Sequence, residues 1–284
     1  NIRTGMIRTL DTEIKDLDNN PRAFRAALYG GQVFIIKSTP GSRALVHDAR
    51  AIVASAFGTA QQNLPHIHME QSADELWQNL NDARAVIAAS EFSKRDITNM
   101  IAPLFNDHAC YDVLRLRCSP HNGYTNPAAA RSYSAHRDTW FANPDAQINF
   151  WVPLFDVTEA QSFAFYPSYF NQATANNSAD FDYNIWRDST GFQNAKASSS
   201  AVYPSLTTPV HDPARFAFNC AAGDILVFSA AHLHQPQNNN SGRTRFSIDF
   251  RLVDLDDAAR GQGAPNVDNE SKGNAQSDYL RLKP

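Results

Sequence analysis

The residues best suited to chemistry are a histidine and an aspartate two positions apart, in Ser134-Ala-His136-Arg-Asp138-Thr-Trp140. In an extended segment, residues i and i+2 project to one side, so His136 and Asp138 can enter one cavity. An imidazole and a carboxylate give a mixed N/O donor set. One more histidine from a neighbouring strand would complete a two-His, one-carboxylate triad, which suits non-haem Fe(II) because three metal positions stay open. An HxD triplet alone arises often by chance; a second segment gives it weight. Gly223-Asp-Ile-Leu-Val-Phe228 is followed by His232-Leu-His234 and then by Arg243-Thr-Arg245-Phe-Ser247. His232 and His234 both compete for the third ligand position.

The order HxD, GDxxxF leading to His, then Arg resembles the phytanoyl-CoA hydroxylase-like branch of the Fe(II)/2-oxoglutarate-dependent oxygenases. The resemblance covers residues 111–253, about half the chain. It implies a mainly β fold with flanking helices, a double-stranded β-helix of the jelly-roll or cupin-like kind. In that family the distal ligand lies eleven residues after the Gly of GD, and an Arg follows about eleven residues later. This spacing favours His234 as ligand over His232, and Arg245 over Arg243. Arg245-Phe-Ser247 resembles the R-x-S pair that holds the distal carboxylate of 2-oxoglutarate. A planar guanidinium can grip a carboxylate bidentately and a hydroxyl adds a donor. Trp151 sits where a Trp before a strand leucine recurs in the family and is expected either beside the cosubstrate or as a core residue of the sheet. Asn149 and Gln147 alternate with it and are expected to donate to 2-oxoglutarate. The resemblance implies Fe(II), 2-oxoglutarate and O2 as cofactor and cosubstrates, with release of succinate and CO2 and oxidation of a substrate C–H bond, most simply hydroxylation. Halogenases of the superfamily lack the carboxylate ligand; Asp138 argues against that outcome.

Two other readings compete. A cupin-like metalloenzyme without 2-oxoglutarate would share the barrel and the ligands but would not need Arg245 and Ser247. A non-enzymatic β-sandwich binding carbohydrate or protein would make the histidines coincidental. An alternating surface strand would also place Arg243, Arg245, Ser247, Asp249 and Arg251 on one face. Arg115 and Arg117 either meet the substrate or lie on a solvated face. His66-Ile-His68-Met-Glu70 reads as a surface loop, and His121 as a turn residue.

The elements that must position these groups fall into a single domain. Residues 1–110 read as a mainly helical front part and 111–253 as a β core. Asn20 and Pro21 open a helix that ends before Gly30, Val33 to Ile36 form a strand, and residues 42–57 are helical. Ser72 and Glu75 form a capping-box pattern for a helix to Ala89, and another is expected from Ser93 to Phe105. Strands are expected at 111–118, 146–154, 162–167, 216–220, 224–229 and 243–253. A lid-like insertion, 171–215, interrupts them, and 254–284 is a C-terminal tail. The insertion's Asn, Ser and Asp with interspersed aromatics suit a polar small-molecule substrate such as a sugar, an amino acid or a natural-product intermediate.

Apolar residues make up 43 % of the 284, enough for a large core. The net charge of −4, without a Lys/Arg run, argues against a nucleic-acid partner. No apolar run approaches membrane-spanning length, and no signal-peptide core is evident. Three cysteines without CxxC spacing fit neither a disulfide framework nor a zinc knuckle and agree with a cytoplasmic protein. Met6 could be the native start, with residues 1–5 a remnant.

Overall fold

A computed structural model describes residues 7–10, 20–90, 108–189 and 202–282, with a few isolated positions between 95 and 105. The expected 93–105 helix therefore lies largely outside the described residues, as do residues 1–5.

Local signals start the helices. Asn20 accepts a hydrogen bond from Ala23 N and Pro21 occupies the first turn of α1 (Pro21–Tyr29). Thr39 and Ser42 make a reciprocal capping box on α2 (Pro40–Ala56), and Ser72 and Glu75 make another on α3 (Ala73–Ala89). Each satisfies donors that the first helical turn leaves unpaired, worth about 1 kcal/mol per cap.

The strands are β1 (Ile7–Leu10), β2 (Val33–Ile36), β3 (Ala109–Tyr111), β4 (Arg115–Ser119), β5 (Gln147–Pro153), β6 (Phe163–Phe165), β7 (Ile225–Ser229), β8 (His234–Pro236), β9 (Arg245–Asp254) and β10 (Leu280–Arg281). Eight form one sheet in the order β1-β2-β7-β5-β9-β3-β10, with β4 also pairing β9; β6 and β8 form a second sheet. All pairings are antiparallel except β1 with β2. The fold is thus mainly β with flanking helices, two sheets facing each other as in a jelly roll, with the larger sheet not closed on itself.

Strand periodicity divides the interior in two. Ile148, Phe150 and Val152 of β5 and Phe246, Ile248, Phe250 and Leu252 of β9 join one core with Leu45, Ala49 and Val53 of α2. Phe150 and Phe250 are direct cross-strand partners and stack at 5.0 Å. The alternate positions face the other way: Gln147, Asn149 and Trp151 on β5, and Arg245, Ser247, Asp249 and Arg251 on β9. Between the sheets, Val33, Ile35, Leu226 and Phe228 meet Phe163, Phe165 and Phe218.

Two expected strands differ. The 111–118 run breaks into β3 and β4. Tyr111 opposes Leu252 while Arg115 opposes Asp249, so the chain gains one residue relative to β9. Asp112 accepts hydrogen bonds from Val113 N and the Arg115 guanidinium at this bulge. The 216–220 run makes only two isolated bridges, Phe216 to Phe165 and Cys220 to Val157. The turn at Glu159–Gln161 interrupts its partner between those bridges.

Gly223 and Asp224 act as a turn device. Gly223 takes φ +80°, open to glycine without strain. Asp224 then accepts from Ser38 N at 2.9 Å and from Lys37 Nζ at 3.1 Å, fixing the β2–α2 junction to the start of β7.

Candidate metal centre

His136 and His234 face each other across an antiparallel bridge. Each backbone N–H donates to the other's carbonyl at 3.0 Å. Asp138 begins a short 3-10 turn, Asp138–Phe141, and its N–H donates to Ala230 O at 3.0 Å. Arg137 remains extended, so His136 and Asp138 project to one side as their spacing predicts. One ligand atom from each of His136, Asp138 and His234 lies within 4.8 Å of the other two, and among the described residues no other His, Cys, Asp or Glu group of three does so.

Hydrogen bonds fix both imidazole tautomers. His136 Nδ1–H donates to Ser134 O at 2.9 Å, and His234 Nδ1–H donates to His232 O at 3.0 Å. Both Nε2 lone pairs are left for a cation, an arrangement typical of metal-bound histidines. Asp138 Oδ1 lies 3.5 Å from His136 Nε2 and 4.0 Å from His234 Nε2. Burial works to raise the Asp138 carboxyl, but Arg251 and the two histidines outweigh it and hold it well below the usual carboxylate range. Burial, with His136 adding to it, pushes His234 down to about 4, so its ring is neutral at physiological pH. His136 keeps 23 % of its side chain exposed, which leaves this side of the cluster open.

His232 lies apart from the cluster. It is packed against Phe165 at 5.2 Å and Phe170 at 4.5 Å and is 1 % exposed. Burial pushes its imidazolium down to about 3. It carries its backbone carbonyl, not its ring, to the site.

Arg137 points away from the cluster and staples its supports. Its guanidinium donates to Ala231 O, Tyr169 O and Gln172 O and pairs with Asp268 at 3.1 Å. Trp140 Nε1 also donates to Asp268 at 2.8 Å. Sequence reasoning missed Asp268, because nothing local in the C-terminal segment marks it.

Arg245 and Ser247 lie on the inward face of β9. Arg245 is 9 % exposed and Ser247 fully buried. Arg245 donates once, to Gln161 O at 2.9 Å; its Nε and the Ser247 hydroxyl have no hydrogen-bond partner. Its guanidinium sits 5.8 Å over the Trp151 ring. Trp151 packs on Phe163, and Phe163 packs on His234, at 5.7 and 5.6 Å. A buried cation without a carboxylate partner is expensive, so this buried face suits an anionic group brought by a ligand. The surface-strand alternative fails here, since the face is buried.

Asn149 and Gln147 are deployed differently from expectation. Asn149 Nδ2 donates to Asp138 Oδ2 at 2.8 Å, and Gln147 Nε2 donates to Asn149 Oδ1 at 2.9 Å. Tyr279, from the C-terminal segment, donates its hydroxyl to Gln147. The result is a relay that orients the carboxylate. Arg251 joins it, with Nε 3.5 Å from Asp138 Oδ2. The parity it shares with Arg245 and Ser247 was the available signal. Arg117 pairs with Asp249 through two hydrogen bonds, and Arg115 pairs with Asp112.

Of the other histidines, His68 lies in the 3-10 helix Gln61–Met69, with Nδ1 2.9 Å from Thr244 Oγ1 and its ring 5.5 Å from His121. His121 accepts from Gly242 N.

Several solved structures are similar to this chain in fold. One is the non-heme monooxygenase ThoJ, in its apo form, 15% identical over 72% of this chain and 70% of its own, at a TM-score of 0.42. The non-heme alpha ketoglutarate dependent carbocyclase SnoK, from nogalamycin biosynthesis, is 15% identical over 90% of this chain and 96% of its own, at 0.44. EvdO2 from Micromonospora carbonacea var. aurantiaca, complexed with 2-oxoglutarate, is 11% identical over 58% and 61%, at 0.38. No family model and no curated protein matches the sequence. Likenesses this distant leave the assignment to the site's own geometry.

Proposed function

We propose that this protein is an Fe(II)- and 2-oxoglutarate-dependent oxygenase that oxidises, most simply hydroxylates, a C–H bond of a polar small molecule. One observation carries the reading: a buried Arg245 without a carboxylate partner, its Nε and the Ser247 hydroxyl both unbonded, on the inward face that also bears the support of the His136–Asp138–His234 cluster. The donor set fits Fe(II), and the unbonded Arg245 and Ser247 groups fit the distal carboxylate of the cosubstrate. A metalloenzyme without that cosubstrate has no use for them.

Bound iron supplies the activation of O2, coupled to decarboxylation of 2-oxoglutarate to succinate and CO2. The chain's own residues do the rest. His136 and His234 offer Nε2, and Asp138 offers Oδ1. Arg245 and Ser247 anchor the cosubstrate, and Trp151 backs the guanidinium. Phe141 packs 5.7 Å from His136 and continues to Phe181 at 5.5 Å, walling the site on the side of the 171–215 segment. That segment, of which residues 190–201 lie outside the described residues, supplies a lid in this reading. The inward-facing Arg117–Asp249 pair, with Arg117 part-exposed, gives a polar substrate hydrogen-bonding partners. The spacing of Gly223, His234 and Arg245 favours the phytanoyl-CoA hydroxylase-like branch, and 1–284 works as one domain. The cysteines Cys110, Cys118 and Cys220 are free thiols, in keeping with a cytoplasmic setting. No described helix is long and apolar enough to cross a membrane.

The test is anaerobic addition of Fe(II) and 2-oxoglutarate, read by the visible metal-to-ligand charge-transfer band. A band in the native protein, weakened in Arg245→Ala and absent in His234→Ala, is expected. Iron binding without a band would leave a metalloenzyme that does not use 2-oxoglutarate.

A further inference from the structure

The two oxygens of Asp138 have different surroundings. Oδ1 faces the histidine Nε2 atoms at 3.5 and 4.0 Å. Oδ2 accepts a hydrogen bond from Asn149 Nδ2 at 2.8 Å and lies in ion-pair range of Arg251, whose Nε is 3.5 Å away without forming a hydrogen bond. Asn149 and Arg251 are direct cross-strand partners on β5 and β9, so their side chains rise together on the inward face. Arg251 is 8 % exposed and is itself held by Asp112, at 3.2 Å from Nη1, and Asp249, at 3.6 Å from Nη2. Those two carboxylates, shared with Arg115 and Arg117, hold the guanidinium in place beside Asp138.

A carboxylate with both oxygens free can chelate a metal bidentately. That would occupy one of the positions the triad leaves open. To chelate here, Oδ2 would have to take its lone pair from the buried Asn149 amide and leave the Arg251 guanidinium's ion-pair range. We propose that Arg251, with Asn149, is a positioning residue that keeps Asp138 monodentate and so preserves three open sites on the metal. This rests on the metal reading above and adds a role that the ligand spacing does not contain.

The experiment uses Mn(II) alone, with no cosubstrate, on the full chain. Solvent-proton relaxivity of the bound Mn(II) reports the waters it carries. The native protein should hold three, and Arg251→Met two, a fall of about one third at saturating metal. Metal affinity should hold or tighten, while 2-oxoglutarate binding to the metal-saturated variant should weaken by about ten-fold. Asn149→Leu, a milder change, should move relaxivity in the same direction, and Arg251→Lys should restore part of it. Circular dichroism establishes which variants fold; Asn149→Leu decides the matter if Arg251→Met does not. Unchanged relaxivity in a folded, metal-loaded variant overturns the proposal. So does loss of Mn(II) binding in folded variants, which would make Arg251 a support for the ligand's presence alone. Native protein that binds Mn(II) but not 2-oxoglutarate would sink the cosubstrate reading while leaving the relaxivity comparison intact.

Discussion

Arg245 has its positive charge inside the protein and one backbone carbonyl to receive it. Burial accordingly pulls its pKa down from the ordinary arginine value. Such a residue destabilises the ligand-free chain; under the proposed function, the cosubstrate carboxylate would offset that cost. Arg245→Met should therefore leave the thermal midpoint of the metal-free protein unchanged or raise it by about 2–4 °C, the shift expected for roughly 1 kcal/mol in a chain this size. The same variant should lose about 100-fold or more in 2-oxoglutarate affinity, since a charge-assisted fork contributes several kcal/mol. Calorimetric melting and titration read the two effects separately; a large destabilisation without loss of binding would make Arg245 structural. His232 offers a contrasting case. His232→Leu should keep metal binding within about three-fold, because its ring touches phenylalanines and not the cluster, whereas His234→Ala should abolish it. Metal titration of both variants checks which histidine is the ligand.

Among elements, α1 is tied to the end of β9 by a buried ion pair. Arg25 meets Asp257 at 2.6 Å and Asp254 at 3.1 Å. Asp257→Ala leaves the guanidinium short of a partner, and a loss of about 3 kcal/mol is expected in denaturant melts. The α1 and α3 starts were legible in the sequence because Asn20 and Ser72–Glu75 act over three residues; α2 was read from apolar spacing as 42–57, and its Thr39–Ser42 box at the Pro40 start was missed. The inward face of β9 was legible because parity is local, and so was the pairing of His136 with Asp138. The break at Asp112 was not, since it depends on where β9 lies. Nor was the function of Arg251, which is defined by Asp138, Asp112 and Asn149, each more than a hundred residues away. The donors of Gln147 and Asn149 were expected on a cosubstrate for the same reason: their facing direction could be read, their partner could not.

Across the whole molecule, the C-terminal segment reaches under the metal centre. Asp268 receives Arg137, Trp140 and Thr174, and Tyr279 feeds the relay through Gln147. Asp268→Ala should cost about 3 kcal/mol in stability and weaken metal binding, because it orphans buried donors behind the ligand loop. Metal with 2-oxoglutarate at about a hundred times its dissociation constant should raise the native melting midpoint by about 5–10 °C, and a chelator should reverse it. The bridge between His136 and His234 carries a topological consequence. These residues stand almost a hundred positions apart in the chain. An ion held by both is a reversible cross-link that turns everything between them, the 171–215 segment included, into a closed ring. Cross-links spanning that length remove a great deal of freedom from an unfolded chain. Cleavage within the ring of the loaded protein would leave the two fragments joined by the metal as well as by the β2–β7 and β5–β9 pairings.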